Sequence, residues 1–313
     1  MDAMRVVLLM SLLITWVLPR AYAQSQTLLR RARVAVPVAD LRQEPSKSSG
    51  TLEQDPLEES QLLYGDPVEV LEEKEGWARV LAVEQPEWSH NKRWEGYPGW
   101  IEQPHCAFVL KQWDPNLVVT SKFGKVFSQP NLSAPVRLTL SFATRLAGRK
   151  RGNVWELDLL DGTTGWISNS EVISLEGLSD IQKYSAAFRT RLVESARLFL
   201  GNPYSWGGRS SDKIDCSGLV GLAYQANGLH IPRDAHEIWM LSRPIEPKNL
   251  LAGDLIFLHD PEDPNRIVHV MLYAGDNRVI EAPGTGLAVR EMDLKERLKE
   301  VKSRRVSFGT YLP

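Results

Sequence analysis

Asp212-Lys213-Ile214-Asp215-Cys216-Ser217-Gly218-Leu219-Val220-Gly221-Leu222-Ala223-Tyr224-Gln225-Ala226-Asn227-Gly228 is the stretch that decides the fold of the C-terminal third. Leu219, Val220, Ala223 and Ala226 recur at helical spacing, Asp215 suits an N-cap, and Asn227-Gly228 suits a C-cap. The pattern predicts a buried helix with Cys216 in its first turn. Unpaired backbone N–H groups and the positive end of the helix dipole there favour a thiolate, the nucleophilic form of cysteine. An N–H of the same turn can also receive an oxyanion. Small Gly218 allows another segment to approach closely. A lone cysteine is otherwise a small buried hydrophobe, so on position alone both roles stay open for Cys216.

Moving outward, Ile267-Val268-His269-Val270-Met271-Leu272-Tyr273 reads as a strand, Gly275-Asp276-Asn277 as a turn, and Arg278-Val279-Ile280-Glu281-Ala282 as the returning strand. A three-residue connection sets Met271 opposite Glu281, which puts Glu281 on the face of His269 and one diagonal step away. A two-residue connection shifts the register and sends Glu281 to the other face. On the first register, Glu281 can accept from one imidazole nitrogen and leave the other for Cys216, which is the logic of nucleophile, base and orienter. Among the six histidines, His259 is the competing base and reads as a rim residue after the strand Leu255-Ile256-Phe257-Leu258. His230, His236, His90 and His105 offer no metal-ligand spacing, and no metal or cofactor is expected.

The N-terminal half is patterned differently. Val34-Ala35-Val36-Pro37-Val38, Pro67-Val68-Glu69-Val70-Leu71, Gly76-Trp77-Ala78-Arg79-Val80 and Tyr97-Pro98-Gly99-Trp100-Ile101 alternate apolar and polar residues between Gly, Pro and Asp breakers, as antiparallel strands do. A second block from residue 118 to 175 ends in Gly165-Trp166-Ile167, an echo of Gly99-Trp100-Ile101. Trp77, Trp100 and Trp166 are read as filling small β cores. Residues 189–200 form a helical stripe through Leu192, Val193, Ala196, Phe199 and Leu200, stopped by Gly201.

Composition bounds the rest. The 313 residues suggest two or three domains, and a net charge of -2 gives no field for binding nucleic acid. Arg5, the apolar run of residues 6–18 and Ala21-Tyr22-Ala23 read as a cleavable export signal, too short to span a bilayer. Cys106 and Cys216 are the only cysteines. A permanent bridge between them would disable Cys216, so Cys106 is read as a free, buried thiol.

Pro203-Tyr204-Ser205-Trp206-Gly207-Gly208, Asp215-Cys216-Ser217-Gly218-Leu219-Val220, Leu251-Ala252-Gly253-Asp254-Leu255-Ile256-Phe257 and His269-Val270-Met271-Leu272-Tyr273-Ala274-Gly275 together resemble the NlpC-type cell-wall cysteine peptidases. Leu41-Arg42-Gln43-Glu44-Pro45, Gly76-Trp77 and Gly99-Trp100-Ile101 resemble bacterial SH3-like barrels, and the combination resembles the γ-D-glutamyl-diamino-acid endopeptidases. The resemblance implies an α+β fold: a papain-like catalytic domain at residues 183–313, preceded by two small all-β SH3-like barrels at 32–110 and 115–176 and a signal peptide at 1–23. It implies Cys216 as nucleophile and His269 as base. The usual third residue, a histidine, falls on Glu281. Asp215, Ser217, Tyr204, Tyr97 and Glu59 are implied to bind a stem peptide that begins with a free L-alanine, and Ala235 stands where the family often has serine.

The implied reaction is hydrolysis of the γ-D-glutamyl–diamino acid bond, the diamino acid being one such as meso-diaminopimelate, in peptidoglycan stems or murein fragments. A monomer in the periplasm, envelope or exterior of a bacterium is expected, with no membrane contact after signal cleavage. The alternatives are an amidase or acyltransferase of the same core, or a non-catalytic wall-binding protein.

Overall fold

The computed structural model describes residues 30–47, 55–108, 113–176 and 185–313; the expected signal peptide lies outside the described residues. The C-terminal part is a six-stranded antiparallel sheet in the order Arg243–Pro244, Val306–Thr310, Leu255–His259, Ile267–Gly275, Arg278–Glu281, Arg290–Asp293. Helices α1 (Ala186–Arg197), α2 (Cys216–Ala226), α3 (Ala235–Leu241) and α4 (Leu294–Glu300) surround it. Period-two alternation splits its strands between two cores. Leu255, Phe257, Val270, Leu272 and Ile280 pack with Leu192 of α1 and with Leu219, Leu222 and Ala223 of α2. Ile256, Leu258, Met271 and Val279 pack on the other side with Leu294 of α4 and Val301.

Helix α2 follows its sequence closely. The Asp215 carboxylate accepts from Gly218 N at 2.7 Å, and the helix ends at Asn227, followed by Gly228 at φ 79°. Helix α1 starts earlier than the apolar stripe suggests, because Ser185 caps it by accepting from Phe188 N at 3.1 Å. It also stops earlier, so Phe199 is buried in the turn that follows while Leu200 stays 43% exposed.

The hairpin bearing His269 resolves the choice of register in an unforeseen way. Its turn has two residues, Asp276 and Asn277, both at positive φ (47° and 58°), closing the pair Gly275↔Arg278. Taken alone, that turn sends Glu281 to the wrong face. A bulge between Tyr273 and Gly275 inserts Ala274, and the pairing resumes at Tyr273↔Val279 and Leu272↔Ile280. Continued by one step, this is the register in which Met271 faces Glu281.

The N-terminal half forms a seven-stranded sheet, Glu58–Leu63, Val38–Arg42, Glu95–Glu102, Trp77–Glu87, Pro67–Lys74, Arg30–Val34 and Cys106–Ala107, followed by a five-stranded and a three-stranded sheet. Closed barrels are not what these pairings give among the described residues; each sheet has two ends. Trp77, Trp100 and Trp166 are half-exposed rather than core-filling. Their neighbours Ala78, Ile101 and Ile167 take the inward positions of the alternation and are fully buried. Cys106 is a free thiol but only half-buried, and burial pushes it up to about 11. The two halves share one core: Leu63, Val118 and Phe142 belong to the same cluster as Phe188 and Leu219.

Gly218 meets the Gly208 backbone so closely that an added Cβ would lie 2.2 Å from the Gly208 oxygen. Gly218→Ala is therefore expected to destabilise the fold by about 1–3 kcal/mol, read as a lowered denaturation midpoint. An unchanged midpoint would show that this contact has room to yield.

Candidate active site

Cys216, His269 and Tyr204 line one cleft of about 570 Å³, together with Trp206, Val268 and Pro283. Cys216 is the first residue of α2 and is 9% exposed. His269 is 8% exposed, between the outward Val268 and the fully buried Val270. The imidazole Nε2 lies 2.8 Å from Glu281 Oε2, which leaves Nδ1 as the nitrogen for the sulfur. Burial opposes a charged imidazole, but hydrogen bonds to Cys216 and Glu281 outweigh it and raise His269 to about 9.

Glu281 has no exposed surface. Burial alone would raise its carboxyl, yet His269, Arg297 and Arg290 bring it down to about 2. Arg290 donates from Nε at 2.9 Å and sits directly across the strand pair. The Arg297 guanidinium reaches the same oxygen at 2.8 Å from α4. Both arginines also contact Glu300. His259, the competing base, is not a rim residue: it is 1% exposed, bonded to the Pro264 carbonyl at 2.6 Å and to Ser307 Oγ at 2.9 Å, and is spent on structure.

Beside Cys216 lies a second cluster, built across the two halves of the chain. Arg233 is fully buried, and it donates to Asp215 Oδ2 at 2.7 Å, Ser217 Oγ at 2.8 Å and Ser60 Oγ at 2.7 Å. Tyr97 Oη lies 3.1 Å from both Glu59 Oε2 and Asp234 Oδ2. Burial, with Glu237 and Asp215 adding to it against the pull of Arg233, pushes Asp234 up to about 7. Burial, then the charges of Cys216 and Asp215, raise the Tyr204 phenol. The structure thus gathers Cys216, His269 and Tyr204 at one cleft with Glu281 buried behind His269, and Asp215, Ser217, Tyr97 and Glu59 around Arg233 and Asp234. Arg233, Asp234, Arg290 and Arg297 were not foreseen from sequence. The only local signal was Pro232-Arg233-Asp234, a motif whose ion pairs span distant segments.

Residues 201–305 match the NlpC/P60 family. The chain carries an NlpC/P60 domain. A gamma-D-glutamyl-L-lysine dipeptidyl-peptidase of Bacillus cereus is 29% identical over 221 residues, 69% of this chain and 64% of that protein. The Bacillus subtilis enzyme of the same name is 28% identical over 231 residues, 74% of each. This chain therefore spans just under two thirds of the first relative and about three quarters of the second. A crystal structure of an NlpC/P60 family protein from Bacillus cereus superposes with a TM-score of 0.77, at 24% identity, over 90% of this chain and all of that one. The fold of the NlpC/P60 domain and of the β region before it is thus a known arrangement.

The raised His269 of this NlpC/P60 domain sets a pH window. Its folded value of about 9 lies above the ordinary 6.5, so the stabilisation from its charged form is complete below about 6.5 and disappears as pH rises through about 9. Glu281→Gln removes the anionic partner. The pH at which the His269 imidazole loses its proton, followed by NMR, is expected to fall by about a pH unit or more. An identical profile for the variant would mean that Glu281 does not hold the imidazole's proton.

Proposed function

We propose that the protein is an exported cysteine endopeptidase that hydrolyses peptidoglycan stem peptides at the γ-D-glutamyl–diamino acid bond, on stems with a free N-terminal L-alanine. The observation that carries this reading is one cleft lined by Cys216 and His269, with Glu281 buried behind the imidazole, next to an acidic cluster around Tyr97. The two Bacillus relatives are named gamma-D-glutamyl-L-lysine dipeptidyl-peptidases, which supports a bond between γ-D-glutamate and a diamino acid.

In this reading Cys216 Sγ attacks the γ-carbonyl, and first-turn N–H groups of α2 receive the oxyanion. His269, held as imidazolium by Glu281, protonates the leaving amine as the C–N bond breaks. Water then attacks the thioester, His269 takes its proton, and the dipeptide acid leaves as the thiol is restored. The substrate ammonium enters the pocket of Glu59, Asp234 and Tyr97. There a carboxylate offsets the cost of burying the cation. Asp215 and Ser217 act through Arg233, which ties the start of α2 to that pocket. Tyr204 walls the cleft beside the sulfur.

The two β units, at residues 32–110 and 115–176, are read as SH3-like modules, the first of which supplies Glu59 and Tyr97 to the amine pocket and so restricts the enzyme to short, free-ended peptides. The enzyme is read as a monomer needing no cofactor, placed in the cell envelope or outside the cell.

Free L-Ala-γ-D-Glu-diamino acid tripeptide is expected to yield L-Ala-γ-D-Glu and the diamino acid by mass spectrometry, and Cys216→Ala to abolish the products. Acetylating the alanine amine is expected to lower kcat/KM by about 100-fold. Cleavage beside a lactyl group on muropeptides, or equal turnover of the acetylated peptide, would overturn the assignment.

A further inference from the structure

The hairpin that carries Tyr97 is irregular where it approaches the catalytic half. Strands Trp77–Glu87 and Glu95–Glu102 pair Ala82↔Tyr97 and then resume at Pro86↔Gly96 and Glu87↔Glu95, so Val83, Glu84 and Gln85 are extra residues on one strand. A bulge bends its strand and re-aims the side chains beyond it. Gly96 permits the close approach: a Cβ there would lie 2.8 Å from the Ala82 oxygen. The bent end is fastened to the other half of the chain. Gln85 Oε1 accepts from Ser60 Oγ at 2.5 Å, and Ser60 Oγ accepts from Arg233 Nε at 2.7 Å. The Pro86 carbonyl accepts from Arg233 N at 3.2 Å, and Ser89 Oγ donates to Glu237 of α3.

What this bend delivers is His90. Its ring meets the Tyr97 ring edge to face, with centroids 5.0 Å apart and planes at 70°. Glu87, which has no exposed surface, holds it from behind: Oε2 accepts from His90 N at 3.0 Å and lies 2.9 Å from Nδ1. Tyr97 is 3% exposed, and its hydroxyl stands between the Glu59 and Asp234 carboxylates. A phenol has one proton for two such acceptors, so a tilt of the ring toward either would change how both are presented. The side chain that meets the ring is the one that resists the tilt. Neither Glu87 nor His90 lines the cleft of Cys216.

We propose, resting on the amine pocket read above, that Glu87 and His90 are positioning residues: the imidazole braces the Tyr97 ring so that its hydroxyl keeps Glu59 and Asp234 set for an ammonium. His90 acts through Tyr97, so its effect falls on recognition of the free amine and not on attack by Cys216.

The test measures kcat and KM of the full-length mature enzyme on free L-Ala-γ-D-Glu-diamino acid tripeptide, and kcat/KM on the same peptide acetylated at the alanine. In His90→Ala, KM for the free peptide is expected to rise about fivefold, the scale of one aromatic pair, with kcat unchanged. The preference for the free over the acetylated peptide falls by the same factor. His90→Phe, which keeps a ring against Tyr97, is expected to retain most of the preference. His90→Asn, which keeps a side chain able to bond Glu87 but no ring, is expected to behave like His90→Ala. A His90→Ala variant that loses kcat on both peptides alike with its preference intact, or a His90→Asn variant with the full preference, overturns the positioning role. If the wild type cleaves the two peptides equally, the amine pocket fails instead, and the brace with it.

Discussion

The Glu281 carboxylate has no contact with solvent, yet it stays ionised because an imidazole and two guanidiniums converge on it. A carboxylate buried without such partners would cost several kcal/mol and take up a proton. Its partners come from three elements: strand Ile267–Gly275, strand Arg290–Asp293 and α4. The carboxylate fixes the imidazole so that Nδ1 is free for Cys216, and the two arginines share its charge with Glu300. A neutral histidine in this place could orient the ring but would not bring a net negative charge to it. The arginines belong with that difference, because they spread the added charge over a wider network.

The second constraint is the joint between the halves of the chain. Arg233 is buried among Asp215, Ser217 and Ser60, so one guanidinium links the first turn of α2 to strand Glu58–Leu63. Lys213 reaches Glu58 at 2.9 Å across the same joint, and Gly207 packs against the Glu58 backbone. Burying an arginine is costly unless every donor finds an acceptor, and here the acceptors come from both halves. The β region is therefore part of what holds the cleft, and separating it would leave Arg233 Nε without its Ser60 acceptor.

Much of the site was legible because its parts are local. Asp215 as a cap and Cys216 in the first turn follow from side chains at helical spacing around a short polar stretch. The alternation that sets His269 between Val268 and Val270 is equally local. Glu281 needed a register, and registers depend on turns. The sequence Gly275-Asp276-Asn277-Arg278 accommodates either loop length, and only the bulge at Ala274 decides between them. The arginines were illegible for a different reason. Arg290 faces Glu281 only once a further strand is added to the sheet, and Arg297 arrives from a helix beyond it. The outward Trp77, Trp100 and Trp166 were misread because alternation fixes which residues share a face without saying which face is the core.

The charges around Cys216 give the cleft a direction. On one side stand Glu59 and Asp234 around Tyr97, an environment that accepts a cation and repels a carboxylate. On the other stand Arg304 and Arg297 with Asp260 and Glu262, which accept both signs. On the proposed reading, a peptide with an ammonium at its head and mixed charge at its tail would fit this pattern one way round. Entering backwards, it would bring its tail carboxylate against two acidic side chains, and the loss would be largest at the more buried end, where screening is weakest. On the proposed substrate, the charge pattern that would orient the peptide would also select which of its bonds meets Cys216.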